Sequence, residues 1–205
     1  MFSNEDRILF IGDSITDCGR REDPEQVGDG YVRLIRDYYY VISPEANYTV
    51  INKGISGNRV TDLAARWNED VIQEQPNWVS ISIGVNDVWR QIDGYTGEQV
   101  LIDEFTQIYS QLLTAVKEKT KAKLILMEPT IIEEDINSKG NQLLVPYVEA
   151  VHQLAKDFDA IVVPTHQVFK SYLELNTGIQ LTTDGVHMTS VGNMLMAQTW
   201  LEAVR

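Results

Sequence analysis

The sequence is nearly free of cysteine, since Cys18 is the only one among its 205 residues. A single thiol cannot close an internal disulfide, and it supplies neither a CxxC pair nor a cysteine-rich zinc site. This usage is compatible with a reducing compartment. We therefore expect the protein to be cytoplasmic.

No apolar stretch is long enough to cross a bilayer, which takes about 20 residues. The apolar runs at residues 8–11 and 78–83 are far shorter than that. The first seven residues are polar and acidic, and no basic segment precedes a long apolar one. We expect a soluble protein with neither a secretion signal nor a membrane partner.

Basic side chains are scarce as well. The 17 Lys and Arg residues are outnumbered by 30 Asp and Glu residues, which gives a formal net charge of -13. A field of this sign repels phosphate backbones and anionic lipids, so nucleic acid and membrane surfaces are poor partners, whereas a neutral small molecule fits. With 43% hydrophobic residues the chain can bury one core, and we expect residues 1–205 to form a single domain.

What the sequence does have is a series of short apolar runs. Residues 8–11 form an unbroken apolar run that stops at Gly12, which is typical of a parallel strand buried on both faces. Similar runs alternate with segments of helical periodicity, which predicts an α/β fold with a doubly wound, five-stranded parallel sheet and helices on both faces. The predicted strands are 8–11, 48–52, 78–83, 123–127 and 160–163; the predicted helices are 31–41, 60–73 (one helix, or two with a break near residue 68), 98–119, 143–158 and 189–204; residues 18–30 and 128–140 are predicted surface loops.

Polar residues follow three of the predicted strands and precede the last helix. The four groups are Gly12-Asp13-Ser14, Gly54-Ile55-Ser56-Gly57, Gly84-Val85-Asn86-Asp87 and Asp184-Gly185-Val186-His187. In open parallel sheets ligands bind at the carboxyl ends of the strands, so the first three groups are expected to meet at one edge. Taken alone, Ser14 is more often a turn residue or a helix N-cap. The four groups together favour chemistry.

A serine hydroxyl needs a base within hydrogen-bond reach, and the base needs a carboxylate to orient it. Asp184 and His187 lie three residues apart, so the carboxylate can hold Nδ1-H of the imidazole while Nε2 faces Ser14. The developing oxyanion needs donors fixed in advance. The backbone N–H groups of Ser14 and Gly57 and the side-chain amide of Asn86 can supply three. Glycine suits position 57 because the missing Cβ lets a ligand approach the backbone closely.

These four groups resemble the four blocks of the SGNH hydrolases, also called GDSL esterases, which supply serine, glycine, asparagine and histidine in this order. The resemblance spans almost the whole chain and implies a flavodoxin-like three-layer α/β/α sandwich, the SGNH hydrolase fold. It implies that Ser14 is the nucleophile, that His187 is the general base and then acid, and that Asp184 orients the histidine. It also implies that Gly57 and Asn86 complete the oxyanion hole with the Ser14 amide.

Three longer blocks, residues 10–20, 52–58 and 83–90, look most like those of the intracellular acetylxylan esterases. This resemblance implies a serine esterase without metal or cofactor that removes acetyl groups from xylan-derived oligosaccharides. Lysophospholipids, thioesters and generic short-chain esters are the alternative substrates. Such proteins can assemble into homo-oligomers, with a monomer as the alternative. They commonly carry a proline after the histidine, where Met188 stands here, which should alter the stiffness of the loop.

Four further residues are candidates for substrate binding. Trp89 and Arg90 follow Asn86 closely enough to line an acyl or sugar pocket, although a core tryptophan with a solvated arginine fits the pattern equally well. Tyr31 has the same two interpretations. Asp13 is expected chiefly to tie the turn together through backbone hydrogen bonds, with a direct role as the lesser alternative.

Two other classes of protein share parts of this pattern. A haloacid-dehalogenase-like phosphatase also begins with a strand that ends in an acidic motif. It requires Asp-x-Asp, however, and here Ile15 stands two places after Asp13. A non-catalytic carbohydrate-binding protein is the third class, but it would not require Ser14, Asp184 and His187 together.

The remaining polar candidates receive structural interpretations. Asp87 competes with Asp184 as the carboxylate of the triad, but no histidine lies at short spacing from it. His152 lies in a helical pattern and His166 follows a strand, so both are expected to be structural or surface residues. The acidic cluster at residues 133–135 is expected to be a solvated face rather than a metal site.

Overall fold

The computed structural model describes residues 2–205, in which five parallel strands form one sheet in the order β2-β1-β3-β4-β5. The strands are β1 (Arg7–Gly12), β2 (Thr49–Gly54), β3 (Trp78–Ser82), β4 (Lys123–Met127) and β5 (Ile161–Val163). The helices are α1 (Ser14–Asp17), α2 (Tyr31–Ile42), α3 (Val60–Trp67), α4 (Val85–Trp89), α5 (Ile102–Lys119), α6 (Lys139–Asp157), α7 (Thr165–Glu174) and α8 (Ser190–Ala203), with a π-helix at Asn68–Ile72. Helix α5 packs against α3 and α6, and α8 packs against α2 and α7, so the α/β/α layers and the five-stranded parallel sheet expected from the sequence are confirmed.

The strand register brings the carboxyl ends of three strands to the same level. Gly12, the last residue of β1, pairs with Gly54 of β2 on one side and with Ser82 of β3 on the other. The loops that leave these strands therefore emerge side by side, as expected for an open parallel sheet. All three predicted polar groups begin at or just after the carboxyl ends of these strands.

The core is built around the two central strands β1 and β3. Residues 8–11 of β1 are fully buried, and every residue of β3 is buried as well. Ser80, a polar residue inside β3, accepts a hydrogen bond at 2.9 Å from the indole N–H of Trp200 on α8. Trp200 is itself fully buried against Phe10, so this single side chain closes one face of the sheet and satisfies the polar group beneath it.

Several boundaries differ from the sequence prediction. The break near residue 68 is present as the π-helix. Helix α5 begins at Ile102 and not at residue 98, and α6 begins at Lys139 and not at residue 143, because Ser138 caps it by accepting a hydrogen bond from Asn141 N–H at 3.1 Å. Helices α1, α4 and α7 were not predicted. The first two are only 4 and 5 residues long, too short for a periodic pattern.

The prediction of a surface loop at 128–140 is wrong for its first part. Residues 128–132 are all buried, and Ile131 and Ile132 belong to the core. The buried backbone of this segment finds a partner on α6, where Oδ1 of Asn141 accepts a hydrogen bond from Ile132 N–H at 2.9 Å. No helix among residues 2–205 combines the length and the apolar character that a membrane span requires.

Candidate active site

Ser14 is placed by a turn with almost no free space. A Cβ on Gly12 would lie 2.2 Å from the Ser82 carbonyl oxygen and 2.5 Å from Oγ1 of Thr16, so only glycine fits between β3 and α1. Asp13 then caps α1 by accepting a hydrogen bond from Ile15 N–H at 3.0 Å. Ser14 is consequently held as the first residue of a one-turn helix at the carboxyl edge of the sheet.

Ser14, His187 and Asp184 form a continuous hydrogen-bonded chain, although the two ends are far apart in sequence. The Ser14 hydroxyl lies 2.9 Å from Nε2 of His187, and Nδ1 of the same ring lies 2.7 Å from Oδ2 of Asp184. An ionised carboxylate can only accept, so Nδ1 carries the proton and Nε2 is left to accept from the serine. The geometry is that of a nucleophile, a base and an orienting carboxylate.

The Asp184 carboxylate is held in its charged form. Burial alone would raise its pKa, but hydrogen bonds from His187 Nδ1 and from the backbone N–H groups of His187 and Val186 outweigh that effect and lower the pKa to about 2. The two backbone bonds, to Oδ1, measure 2.8 and 3.0 Å. The carboxylate thus fixes both the conformation of the turn and the orientation of the imidazole ring toward Ser14.

Three donors are available for a developing oxyanion. Within residues 2–205, neither the N–H of Ser14 nor that of Gly57 is engaged in a hydrogen bond. The buried Asn86 side chain spends one of its two amide hydrogens on the Asn58 carbonyl at 3.0 Å, which leaves the second free. Gly57 has φ +81°, so its conformation is a further reason for glycine at this position.

For two of the four candidates for substrate binding, Tyr31 and Asp13, the contacts favour the structural interpretation that the sequence also allowed. Tyr31 is fully buried, its hydroxyl pairs with Oγ1 of Thr16 at 3.0 Å, and its ring packs on Phe10. Asp13 is only 1% exposed because its carboxylate caps α1, and burial raises its pKa to about 6. Both side chains are occupied inside the protein, so neither is placed to touch a substrate.

Of the other two candidates, Trp89 lies beside His187, and the Arg90 guanidinium lies 6.0 Å from the centroid of the Trp89 ring. The ring centroids of Trp89 and His187 are 6.2 Å apart in an edge-on arrangement, and Trp89 is only partly buried. Arg90 forms an ion pair with Asp93 at 2.6 Å and lies over the ring of Tyr95, 5.4 Å from its centroid. The sequence did not single out Tyr95, which no motif marks.

The competing polar residues form hydrogen bonds with partners other than Ser14 and His187. Asp87 is fully buried, where Oδ1 accepts a hydrogen bond from Val60 N–H at 3.1 Å, and burial raises its pKa to about 7. His152 bonds to Glu128, and the buried His166 bonds to the Thr130 carbonyl. Within residues 2–205, no three His, Cys, Asp or Glu side chains are grouped so as to hold a metal ion.

The acidic cluster at 133–135 was predicted to be a solvated face, and for Glu134 this prediction is wrong. Oε1 of Glu134 accepts from the N–H groups of Leu181 and Thr182 at 2.8 and 2.7 Å and from the Thr182 hydroxyl at 2.8 Å. Glu133 N–H donates to the Gly185 carbonyl at 2.7 Å. These contacts brace the loop that carries Asp184 and His187, and nothing in the local sequence signals them.

The same fold is found in known proteins. A model of the GDSL-like lipase/acylhydrolase family matches residues 10–195. The chain therefore belongs to the GDSL-like lipase/acylhydrolase family, and the family expected from the sequence is confirmed.

Within that family the chain is similar to an acetylxylan esterase of Geobacillus stearothermophilus, with 39% identity over 207 residues that cover 97% of this chain and 94% of the relative. A crystal structure of Axe2, an acetylxylan esterase from the same organism, superposes with a TM-score of 0.92 at 37% identity, over 98% of this chain and 95% of that one. LAE5, an α/β hydrolase from the metagenome of Lake Arreo, Spain, matches with a TM-score of 0.91 at 31% identity, over 98% and 96% of the two chains. Variants of Axe2 in which a serine, a histidine or an aspartate is replaced by alanine are described as catalytic mutants.

Proposed function

We propose that this protein is a serine esterase that removes acetyl groups from acetylated sugars such as xylo-oligosaccharides. The observation that carries the proposal is the hydrogen-bonded chain from Ser14 through His187 to Asp184, with distances of 2.9 and 2.7 Å. The similarity of the protein to an acetylxylan esterase over nearly its whole length supports the choice of substrate.

In the proposed mechanism Ser14 Oγ attacks the ester carbonyl while Nε2 of His187 takes its proton. The carbonyl oxygen, now negative, is held by the N–H groups of Ser14 and Gly57 and by the free amide hydrogen of Asn86. As the bond between the acyl carbon and the sugar oxygen breaks, His187 gives the proton to that oxygen, so the sugar departs as an alcohol and the acetyl group stays on Ser14. A water molecule attacks this ester with His187 again as the base, and Ser14 is regenerated as acetate departs.

The imidazole must keep the proton on Nδ1 throughout, while Nε2 takes up and gives back the second proton. The Asp184 carboxylate, charged down to about pH 2, accepts Nδ1-H at each stage and stabilises the imidazolium that forms when Nε2 takes the proton. The Trp89 ring, edge-on to His187, is proposed as a wall of the pocket, with Arg90 and Tyr95 beyond it for the sugar.

The test is a comparison of initial rates on three substrates. We expect p-nitrophenyl acetate to be cleaved faster than p-nitrophenyl butyrate, and acetylated xylo-oligosaccharides to be deacetylated efficiently. Preference for the longer ester without cleavage of the sugar ester would keep the serine mechanism and move the substrate class to generic short-chain esters, thioesters or lysophospholipids.

Two further parts of the proposal concern location and assembly. We place the enzyme in the cytoplasm, which the lone, half-buried thiol of Cys18 fits. We also propose that it forms a homo-oligomer, with the monomer as the alternative. Cell fractionation tests the first statement, and light scattering after size-exclusion chromatography tests the second.

A further inference from the structure

Gly57 carries an oxyanion donor in the proposed mechanism, yet it is exposed and the side of Cα where a side chain would stand is open. A Cβ built at this position would meet no atom within 4 Å. Its left-handed backbone conformation, with φ +81°, is one that only glycine adopts freely. The direction of its N–H must therefore be set by the residues on either side, Ser56 and Asn58.

Ser56 is held by a carboxylate from the nucleophile's own helix. Asp17, the last residue of α1, accepts through Oδ2 from the backbone N–H of Ser56 at 3.2 Å and from its hydroxyl at 3.1 Å. Asp17 is 8% exposed, and Oδ1 forms no hydrogen bond within residues 2–205; its nearest cation is Nε of Arg20 at 3.9 Å. Burial of this carboxylate costs free energy, which the two hydrogen bonds from Ser56 partly offset.

Asn58 is held from the opposite side by a guanidinium on α3. Nε of Arg66 donates to Oδ1 of Asn58 at 2.8 Å. The backbone carbonyl of the same Asn58 accepts from the Asn86 side chain at 3.0 Å. One residue thus connects the arginine with two proposed oxyanion donors, the Gly57 N–H next to it and the Asn86 amide bonded to it.

The remaining nitrogens of Arg66 reach the ends of two strands. Nη2 donates to the Gly12 carbonyl at 3.1 Å, and Nη1 donates to the Lys53 carbonyl at 2.7 Å and to the Asp70 carboxylate at 2.6 Å. A planar guanidinium offers these donors in one rigid fork, whereas an ammonium does not. Arg66 therefore ties the turn before Ser14, the end of β2 and the Gly57 loop to one another.

We propose that Asp17 and Arg66 are positioning residues that clamp the Ser56–Asn58 loop and so aim the Gly57 N–H at the oxyanion. The inference rests on the proposed function, in which Gly57 supplies a donor. Neither side chain touches substrate; each acts through the residue next to Gly57. The clamp joins the nucleophile and the oxyanion hole mechanically, because Asp17 lies on the same one-turn helix as Ser14.

The carboxylate half of the clamp is tested with Asp17→Ala and Asp17→Asn, with Asp6→Ala as the matched control. Asp6 is also 8% exposed, and its Oδ2 also accepts two hydrogen bonds, from Ser3 N–H and the Trp78 indole at 2.9 and 3.0 Å, but it precedes β1 at the opposite edge of the sheet. We expect Asp17→Ala to lower kcat by about 10- to 100-fold, less than the loss of about 10²–10³ for removal of an oxyanion donor. Asp17→Asn keeps an oxygen acceptor for Ser56 and should restore most of the activity.

The arginine half is tested with Arg66→Met and Arg66→Lys, with Arg7→Met as the control. Arg7 likewise bonds a carbonyl and a carboxylate, both of Glu74, at the far edge of the sheet. We expect both Arg66 variants to lose about 10- to 100-fold in kcat. Lysine should not rescue, since it cannot reach the same carbonyls in a fork. A role limited to charge would instead leave Arg66→Lys close to the unaltered protein.

Misfolding is separated from misalignment by three readouts. Active-site titration normalises kcat to folded enzyme, KM should stay unchanged, and the inhibition constant of a boronic acid, which forms a tetrahedral adduct with serine, should rise by the factor that kcat/KM falls. If the Ala variant does not fold, Ser56→Ala on the surface removes one bond and should lower kcat by about 3- to 10-fold.

The clamp is refuted if the Asp17 and Arg66 variants match their controls in normalised kcat and in boronic acid affinity. Asn86→Ala and Ser14→Ala, measured beside them, keep this outcome apart from failure of the proposed function. Loss of activity in those two variants with none in the clamp variants would overturn the clamp alone. Full activity of Ser14→Ala would overturn the mechanism on which the clamp rests.

Discussion

The buried carboxyl of Asp87 makes the stability of the fold depend on pH. The side chain is fully buried, Oδ1 accepts one hydrogen bond from Val60 N–H, and Oδ2 has no partner within residues 2–205. Burial raises the pKa of this carboxyl from 3.8 to about 7. Asp87→Asn keeps an oxygen acceptor for Val60 and carries no charge, so we expect the variant to be more stable than the unaltered protein above about pH 7.

The sign and the size follow from proton binding. Between pH 3.8 and about pH 7 the folded protein keeps a proton on Asp87 that the unfolded chain has already released, so the free energy of unfolding falls as pH rises through this window. This loss of unfolding free energy, the penalty for burying the charged carboxylate, is absent below about pH 3.8 and complete above about pH 7. A shift of about three pH units, at about 1.4 kcal/mol each, gives a full penalty of about 4 kcal/mol.

Urea denaturation of the unaltered protein and of Asp87→Asn at about pH 4 and about pH 8 measures this penalty. With an m-value of about 2 kcal/mol/M, the advantage of the variant should grow by about 2 M in midpoint between the two pH values. Asp159→Asn, at an exposed position with φ +51° that asparagine tolerates, is the control and should show no such growth. Equal differences at both pH values for Asp87→Asn would refute the reasoning.

Three other substitutions test the site and the turn that carries it. Asn86→Ala removes one oxyanion donor and should lower kcat on p-nitrophenyl acetate by about 10²–10³ without unfolding the protein; an unchanged rate would remove Asn86 from the mechanism. Asp184→Asn favours the wrong imidazole tautomer and, by analogy with other triads, should lower kcat by about 10⁴; a minor effect would remove Asp184 from the mechanism. Gly12→Ala places a Cβ 2.2 Å from the Ser82 carbonyl oxygen and should destabilise the fold by about 1–3 kcal/mol, and a melting temperature equal to that of the unaltered protein would contradict this.

The sheet was predictable because its signals are local. Buried parallel strands appear as short apolar runs, which can be recognised without knowing the rest of the fold. The proximity of Ser14 and His187, 173 residues apart, was expected from the order of four short blocks. No single block would have been sufficient, since a serine after a strand is as a rule a cap or a turn residue.

What the sequence could not reveal are contacts between distant residues that no motif marks. Glu134 looks like part of a solvated acidic run, and its bonds to Leu181 and Thr182 depend on a loop that returns from 47 and 48 residues further along the chain. Tyr31 was a candidate for the pocket, but its burial depends on the partner that Thr16 happens to offer. Whether a particular tyrosine or glutamate is buried depends on its tertiary contacts, so the residue type alone does not predict it.

The central claim is that Ser14 is the nucleophile, and the most direct measurement is the initial rate on p-nitrophenyl acetate and acetylated xylo-oligosaccharides for the unaltered protein and for Ser14→Ala. The account predicts hydrolysis of both substrates by the unaltered protein and none above background by Ser14→Ala, with both proteins equally folded by circular dichroism. Equal rates for the two proteins would contradict the acyl-enzyme mechanism.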